Sequence, residues 1–355
     1  MNILFLNSAK EWGGNEKWSL LAAQGLSGRG HRVFFGCRSS LFALRAGSTR
    51  VTFVRFPFLN HADLITAAAL YVFMLRKRID VLVPTKQREY LLGGLAAWPL
   101  AGVRVIARLG IDRPLHNLRN RFAFTHLFDG VIVNSQKIVE ALSRTLGFDT
   151  GICRVVPNGV AIPQLSPDVR KTVRYRLGID ENEFLICGAG RLAPQKGFDY
   201  AIEAFARVHE KAPDTRLLIA GEGPMLDEYR NLAASRRVAG QVIFAGFRDD
   251  VPALLQAADL FWLTSRSEGM PNALLEAMAA GRAAVAFDVA GVPEVITDGK
   301  NGIIVRQGDV EVLSEKTVGL ISDYKRRNRL SVEARKTMEK DFSIGAMIDR
   351  LEEFL

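Results

Sequence analysis

Two stretches of this chain gather residue types suited to a phosphorylated, hydroxyl-rich ligand. In EGMPNALLEAMAAG, residues 268–281, Glu268 and Glu276 stand eight positions apart with Gly269 and Pro271 between them. Gly and Pro are disfavoured within a helix, but Pro suits its first position, so Glu268 is expected in the preceding loop and Glu276 in the second helical turn. Leu274, Leu275 and Met278 would form the buried side of that helix, and Gly281 suits its C-terminal stop. The free N–H groups and partial positive charge of a helix start favour anions, while carboxylates accept hydrogen bonds from hydroxyls. Taken alone, the same pair could be a capping acid and a solvated helical acid.

The second stretch is GAGRLAPQKGFDYAIEAF, residues 188–205, in which a glycine loop follows a strand and carries Arg191 and Lys196. Two cations beside such a loop can neutralise a diphosphate, Arg by a forked contact and Lys as a point charge. Gly188, Gly190 and Ala193 also fit the letters of the G-x-G-x-x-A dinucleotide fingerprint. Pro194, Gln195 and Lys196 lengthen the loop beyond that fingerprint's tight turn, and it falls in mid-chain. A nicotinamide-linked oxidoreductase or a sugar-nucleotide epimerase is therefore the second reading.

The elements that must position these residues come from short apolar strands alternating with helical patterns. Residues 3–6, 33–36, 51–54, 81–83, 103–107 and 131–133 read as strands in the first half; 184–188, 216–220, 242–245, 260–264, 284–287 and 302–305 do so in the second. This alternation implies parallel sheets covered on both faces, an α/β fold. The Pro-, Gly- and Asn-rich stretch at 157–168 suits an exposed linker, after which the same plan restarts. Two Rossmann-like domains follow, 1–165 and 166–340, with ligand expected in a cleft at the carboxyl ends of the strands.

Charge and composition narrow the class. The 355 residues are 48% hydrophobic and 24% charged, which is ordinary for a well-packed protein. Residues 1–165 hold 21 Lys and Arg against 9 Asp and Glu, a net of +12, whereas the remainder carries −3. An anionic membrane surface, a phosphorylated acceptor or plain solvation would each account for that basic half; nucleic acid is set aside because no DNA- or RNA-reading motif accompanies it. Residues 64–75 and 90–103 are apolar but too short to span a bilayer, and each reads as a buried helix, although an apolar helix beside a basic cluster such as Arg76, Lys77 and Arg78 can also sit on an anionic membrane surface. Cys37, Cys153 and Cys187 lack metal-ligand spacing and read as small buried hydrophobes. The N-terminus lacks a secretory pattern, so the expected location is the cytoplasm.

The set GRLAPQKG, LLIAGEGP (217–224), AGFRDDV (245–251), ADLFWLTSRSEGMPNALLEAMAAG (258–281) and GVPEVITDGKNGIIV (291–305) resembles the C-terminal domain of the retaining GT-B glycosyltransferases of family 4. Glu268 and Glu276 match that family's E-x7-E signature, GGNEKW (13–18) is similar to its N-terminal glycine loop, and 341–355 resembles the helix that returns to the N-terminal domain. The resemblance implies a metal-independent, hexosyltransferase-type enzyme with an acceptor-binding domain, 1–165 plus 341–355, and a donor-binding domain, 166–340. It implies a nucleotide-diphosphate sugar as donor, no further cofactor, and a glycan or lipid-linked acceptor of lipopolysaccharide or polysaccharide assembly. By the same analogy Arg191 and Lys196 hold the diphosphate, Glu276 the ribose hydroxyls and Glu268 the transferred sugar. Gly13, Gly14, Gly190, Gly269, Met270, Pro271 and Asn272 complete the donor site. Many members have a histidine after an N-domain strand, near the reacting sugar; here VRVIARLGIDRPLH (103–116) offers Arg108, the favoured candidate for that electrostatic, catalytic role, or the more distant His116, or the role is dispensable. A relative that binds sugar or lipid without catalysis is the remaining alternative.

Overall fold

The computed structural model describes residues 1–60, 63–110, 115 and 118–355. His61 and His116 lie outside the described residues. The chain divides into two compact units, one comprising Met1–Gly159 with Ile344–Leu355 and the other Val160–Ser343. The changeovers therefore fall at 159/160 and 343/344, against the 165/166 expected from the linker composition and the 340/341 implied by the resemblance.

The first unit is built on seven strands: β1 (Asn2–Asn7), β2 (Arg32–Cys37), β3 (Thr52–Arg55), β4 (Val81–Pro84), β5 (Arg104–Leu109), β6 (Gly130–Val133) and β7 (Cys153–Val155). They lie in the order β3-β2-β1-β4-β5-β6-β7, every pairing parallel. The period of two along β1 serves two cores. Ile3 and Phe5 join Trp18, Leu26 and Ile348 on one face, and Leu4 and Leu6 join Leu70, Met74 and Leu92 on the other. The closing helix, Ile344–Phe354, seats Met347, Ile348 and Leu351 in the first of these cores. Gly25 makes room for it, since a Cβ there would lie 2.4 Å from Ile348 Cδ1.

The second unit has six parallel strands, β8 (Phe184–Ala189), β9 (Thr215–Ala220), β10 (Val242–Phe244), β11 (Leu260–Leu263), β12 (Ala283–Phe287) and β13 (Ile303–Val305), in the order β10-β9-β8-β11-β12-β13. Both sheets thus reverse winding direction once, between β1 and β4 in the first and between β8 and β11 in the second. In doubly wound sheets the loops leaving such a pair of strands splay apart and open a crevice at their carboxyl ends.

Several local expectations shift. β5 runs on through Arg108 and Leu109, so Arg108 is a strand residue paired with Ile132. β7, a three-residue edge strand with only partial burial, has too weak a pattern to register in the sequence. Its Cys153 is half-buried, while Cys37 and Cys187 are buried. The helix after Pro271 begins at Asn272, with Pro271 in the capping position. The helix Leu64–Lys77 buries only one side, a departure from the buried helix its apolar run suggests.

Gly221 shows how tightly the carboxyl edge of the second sheet is fitted. Its φ is +144°, and a Cβ there would stand 1.9 Å from the Gly190 carbonyl oxygen. Gly221→Ala is expected to destabilise this unit by roughly 2–4 kcal/mol through combined backbone strain and overlap. A chemical-denaturation midpoint unchanged from the parent would show that the turn can move aside.

Candidate functional site

At the β8/β11 crevice the loop 190–197 is clamped to the loop 264–269. The first of these leaves β8, makes a single 3-10 turn at Pro194–Lys196, and enters the helix Phe198–Lys211 through Gly197. That intervening turn departs from the tight strand-to-helix turn of a dinucleotide fingerprint. Lys196 Nζ lies 2.6 Å from Glu268 Oε1, which also accepts from Ser265 Oγ at 2.6 Å. Glu268 is buried, so this pair is shielded from solvent on the carboxylate side. Arg266 adds a second tie. Its guanidinium donates to both carboxylate oxygens of Asp199 at 2.9 and 2.6 Å and to the Pro194 carbonyl at 2.6 Å, and it lies 4.3 Å from the centre of the Tyr200 ring. The bonds it donates to Asp199 hold the Arg266 pKa above its ordinary value. Arg266 N also donates to the Gln195 carbonyl at 2.7 Å, and Gln195 Nε2 to the Ser267 carbonyl at 2.8 Å.

Glycines allow the neighbouring turns to close on this clamp. Leu192 N donates to the Glu222 carbonyl at 2.9 Å, and a Cβ on Gly223 would lie 2.2 Å from the Leu192 carbonyl oxygen. On the other side Gly291, at φ +77°, lies against Gly269, whose carbonyl oxygen would be 2.1 Å from a Cβ there. The result is a rigid rim from which Arg191 projects, exposed, while Gly190 lies against the Lys196 side chain. Met270 and Pro271 are buried, and Asn272 opens the helix that carries the half-buried Glu276 on its second turn. The structure therefore unites Gly190, Lys196, Glu268 and Gly269 in one packed cluster, flanked by Arg191 and the Asn272–Ala279 helix. Such a set can oppose cations and helix N–H groups to a diphosphate while offering carboxylates to hydroxyls. Among the described residues no three His, Cys, Asp or Glu side chains gather as metal ligands.

The first unit carries a separate polar cluster at its own β1/β4 crevice. Gly13 caps the helix Gly14–Gly28 in an extended conformation, which brings Asn15 and Glu16 to its first turn. Arg108 reaches this turn from β5: Nη1 donates to Asn15 Oδ1 at 2.5 Å, Nη2 to Asn158 Oδ1 at 3.4 Å, and the guanidinium sits 4.7 Å from the centre of the Trp18 ring. Burial pulls its pKa down to about 10, partly offset by Tyr90 and Glu16, so the side chain stays cationic at neutral pH. Asn15 Nδ2 donates to the Thr85 carbonyl at 2.9 Å, Lys86 Nζ is 2.5 Å from Glu16 Oε1, and Ser8 N donates to Glu89 Oε1 at 2.8 Å. Glu89 is fully buried and its Oε2 has no hydrogen-bond partner among the described residues. Burial raises its pKa to about 7 against the opposing effects of the Ser8 bond and the Lys86 charge. Glu16, Lys86, Glu89 and Asn158 escaped the sequence reading. The only local signal was the acid of GGNEKW and the cation before an apolar helix in TKQREY, neither of which names a partner.

Residues 169–337 match the family described as glycosyl transferases group 1, and residues 12–162 match glycosyltransferase family 4. The lipopolysaccharide core biosynthesis glycosyltransferase LpsE of Rhizobium meliloti (strain 1021) is 31% identical over 248 residues, 70% of this chain and 68% of its own. An Escherichia coli UDP-Gal:alpha-D-GlcNAc-diphosphoundecaprenol alpha-1,3-galactosyltransferase is 24% identical over 82% of this chain and 79% of its own. The aligned part spans only 55% of a third relative, the putative glycosyltransferase EpsD of Bacillus subtilis (strain 168), at 32% identity over 58% of this chain. Among solved structures, Anabaena Alr3699/HepE in complex with UDP and glucose superposes with a TM-score of 0.86 at 23% identity, covering 99% of this chain and 98% of that one. The lipopolysaccharide outer core galactosyltransferase WaaB, in its apo form, gives 0.75 at 18% identity, covering 100% and 99%. At these identities the two structures attest to the fold.

Glu89 yields a pH signature. Between about pH 4.5 and 7 the unfolded chain releases a proton that the folded chain keeps, so stability should fall as pH rises through that window, by up to roughly 3 kcal/mol. Glu89→Gln should remove this slope and be the more stable form at pH 8. Denaturation midpoints from pH 4 to 8 check it, and parallel curves for the two proteins would exclude a buried, late-titrating Glu89.

Proposed function

Because the chain belongs to the group 1 and family 4 glycosyltransferases, we propose that it moves a sugar from a nucleoside-diphosphate donor to an acceptor hydroxyl, with retention at the anomeric carbon and without a metal ion. The observation that carries this reading is the β8/β11 clamp, in which a cationic glycine loop is held against Glu268 and followed by the helix bearing Glu276. In the proposal Arg191 and Lys196 take the diphosphate. As the bond from the anomeric carbon to the phosphate oxygen breaks, its electron pair stays on the leaving diphosphate, and fixed cations stabilise the growing charge. They would supply the neutralisation that a metal provides elsewhere. The Lys196 ammonium has three donors, so it can keep its bond to Glu268 and still reach a phosphate oxygen.

Glu268, oriented by Lys196 and Ser265, accepts from hydroxyls of the transferred hexose; Glu276 accepts from the ribose hydroxyls. Backbone at Gly190, Gly269, Met270, Pro271 and Asn272 shapes the rest of the donor pocket. The N-terminal unit is assigned to the acceptor, with Gly13 and Gly14 presenting backbone to sugar or phosphate. Arg108 is a positioning residue in this scheme, because its bonds to Asn15 and Asn158 hold the 13–16 turn. The acceptor is a lipid-linked or cell-surface glycan of the lipopolysaccharide or polysaccharide kind, a proposal supported by the names of the LpsE and diphosphoundecaprenol-dependent relatives. The excess of basic residues in 1–165 supports a peripheral contact with the anionic inner face of a membrane.

A thermal-shift screen of UDP, GDP and ADP sugars tests the donor class, since a ligand of the folded state raises its apparent stability by mass action; no shift with any of them would overturn the reading. Glu276→Gln should weaken binding of the responding nucleoside diphosphate by ~1.5–3 kcal/mol, the worth of a charged hydrogen bond. Titration calorimetry decides it, and equal affinity would remove Glu276 from the site. Arg191→Ala should lower kcat at saturating donor more than it raises KM, because its charge matters most in the transition state. An unchanged kcat would detach Arg191 from the diphosphate.

A further inference from the structure

The helix Leu64–Lys77 is apolar on both sides but packs on only one. Thr66, Leu70 and Met74 face the protein, the latter two within the apolar cluster that also holds Leu4 and Leu6. Leu64, Ile65, Ala68, Val72 and Leu75 follow one another at intervals of one, three or four residues, which places them on one continuous outer arc of the helix. All five are exposed: Leu64 retains 80% of its accessible surface, Ile65 67%, Leu75 51% and Val72 41%. A surface helix ordinarily turns charged or polar residues to water, and contiguous exposed apolar area marks a place where something else binds. Beside the arc runs an open groove of about 560 Å³, lined by Phe56, Ala69, Phe73 and the flank of Val72, with Arg76 at its margin.

The exposed charges of the helix and its C-terminal cap are of one sign. The helix itself contains no acidic residue. Asp63, just before it, is buried and turned inward, accepting from Thr66 N at 3.0 Å, Thr66 Oγ1 at 2.6 Å and Leu59 N at 2.8 Å. At the other end Arg76, Lys77 and Arg78 are all exposed, and Arg78 closes the helix in a left-handed conformation at φ +49°. Fourteen residues extend about 21 Å along the axis, enough to lie along a bilayer surface and too short to cross its hydrocarbon core. An apolar arc with a basic end is the arrangement of an interfacial helix, whose apolar side enters the headgroup boundary while its cations meet anionic lipid.

We infer that the Leu64–Lys77 helix, with Arg78, is the element by which the N-terminal unit docks on an anionic lipid bilayer. This deepens the membrane contact proposed above and rests on it. The occupant is lipid and not a second copy of the chain, because a twofold contact through this helix would set one strongly basic surface against another.

The experiment is flotation of the full chain with vesicles of phosphatidylcholine alone or with 30% phosphatidylglycerol. Three proteins are compared: the parent, Ile65→Ser/Val72→Ser/Leu75→Ser, and Arg76→Gln/Lys77→Gln/Arg78→Gln. All altered side chains are exposed, and thermal midpoints check that folding is intact. The parent should float with the anionic vesicles. Both variants should partition at least tenfold less, the serine variant with either vesicle type and the glutamine variant specifically with the anionic one. A parent that stays behind with both vesicle types would sink the membrane reading as a whole. A parent that floats together with an equally floating serine variant would leave that reading standing and overturn the assignment to this helix. A parent that is dimeric by light scattering and is split by the serine changes, with no vesicle binding, would make the face a self-interface and likewise overturn it.

Discussion

The second unit depends on one contact between two loops that have no sequence proximity. Lys196 and Glu268 meet across the point where the strand order reverses, and Arg266 ties the second loop to the Pro194 carbonyl and to Asp199 in the first turn of the helix that follows. A carboxylate buried beside β11 would be costly alone; with an ammonium and a hydroxyl on Oε1 it is satisfied and fixed in direction. Directional fixing matters more here than the stability of the pair. A carboxylate that must accept from particular sugar hydroxyls, and a cation that must meet a developing phosphate charge, are useful only if neither has to reorganise. The glycines at 221, 223 and 291 serve the same end by letting adjacent turns close to backbone contact.

The first unit solves a comparable problem with other residues. Its crevice between β1 and β4 is closed by Asn15, Thr85 and Ser8 through backbone contacts, and the cation is Arg108, buried against Trp18. A cation held by two asparagine carbonyl oxygens and an aromatic face keeps its charge while losing its freedom to swing. Glu16, paired with Lys86, gives the cluster a negative component, while burial keeps Glu89 protonated up to about pH 7.

The two sheets were legible because alternating short apolar strands and helices leave a strong period, and so were Arg191, Lys196, Glu268 and Glu276, because Gly, Pro and charge concentrate there within a few residues. What escaped was contact made at long range. Lys196 and Glu268 were each singled out, yet their 2.6 Å pairing lies 72 positions apart and no local pattern encodes it. The Asn15–Arg108 bond spans 93 positions, and Ser8–Glu89 spans 81. Arg108 was placed just past a strand because Ala107 ends the apolar run; hydrogen bonding to β6 carries the strand two residues further. The 64–77 helix was legible only as a choice between a buried helix and one lying on a membrane surface. Apolar residues on every side read as burial, and composition cannot report that one side lacks a neighbour.

The helix Ile344–Phe354 gives the chain an order of assembly. A ribosome delivers the first 159 residues long before Met347, Ile348 and Leu351, which fill part of their core. The nascent N-terminal unit must therefore wait with Leu26 and its neighbours incompletely covered, while the continuous Val160–Ser343 segment can close on itself as soon as it emerges. The unit that begins first in the chain finishes last, and its completion certifies that translation has passed through everything between.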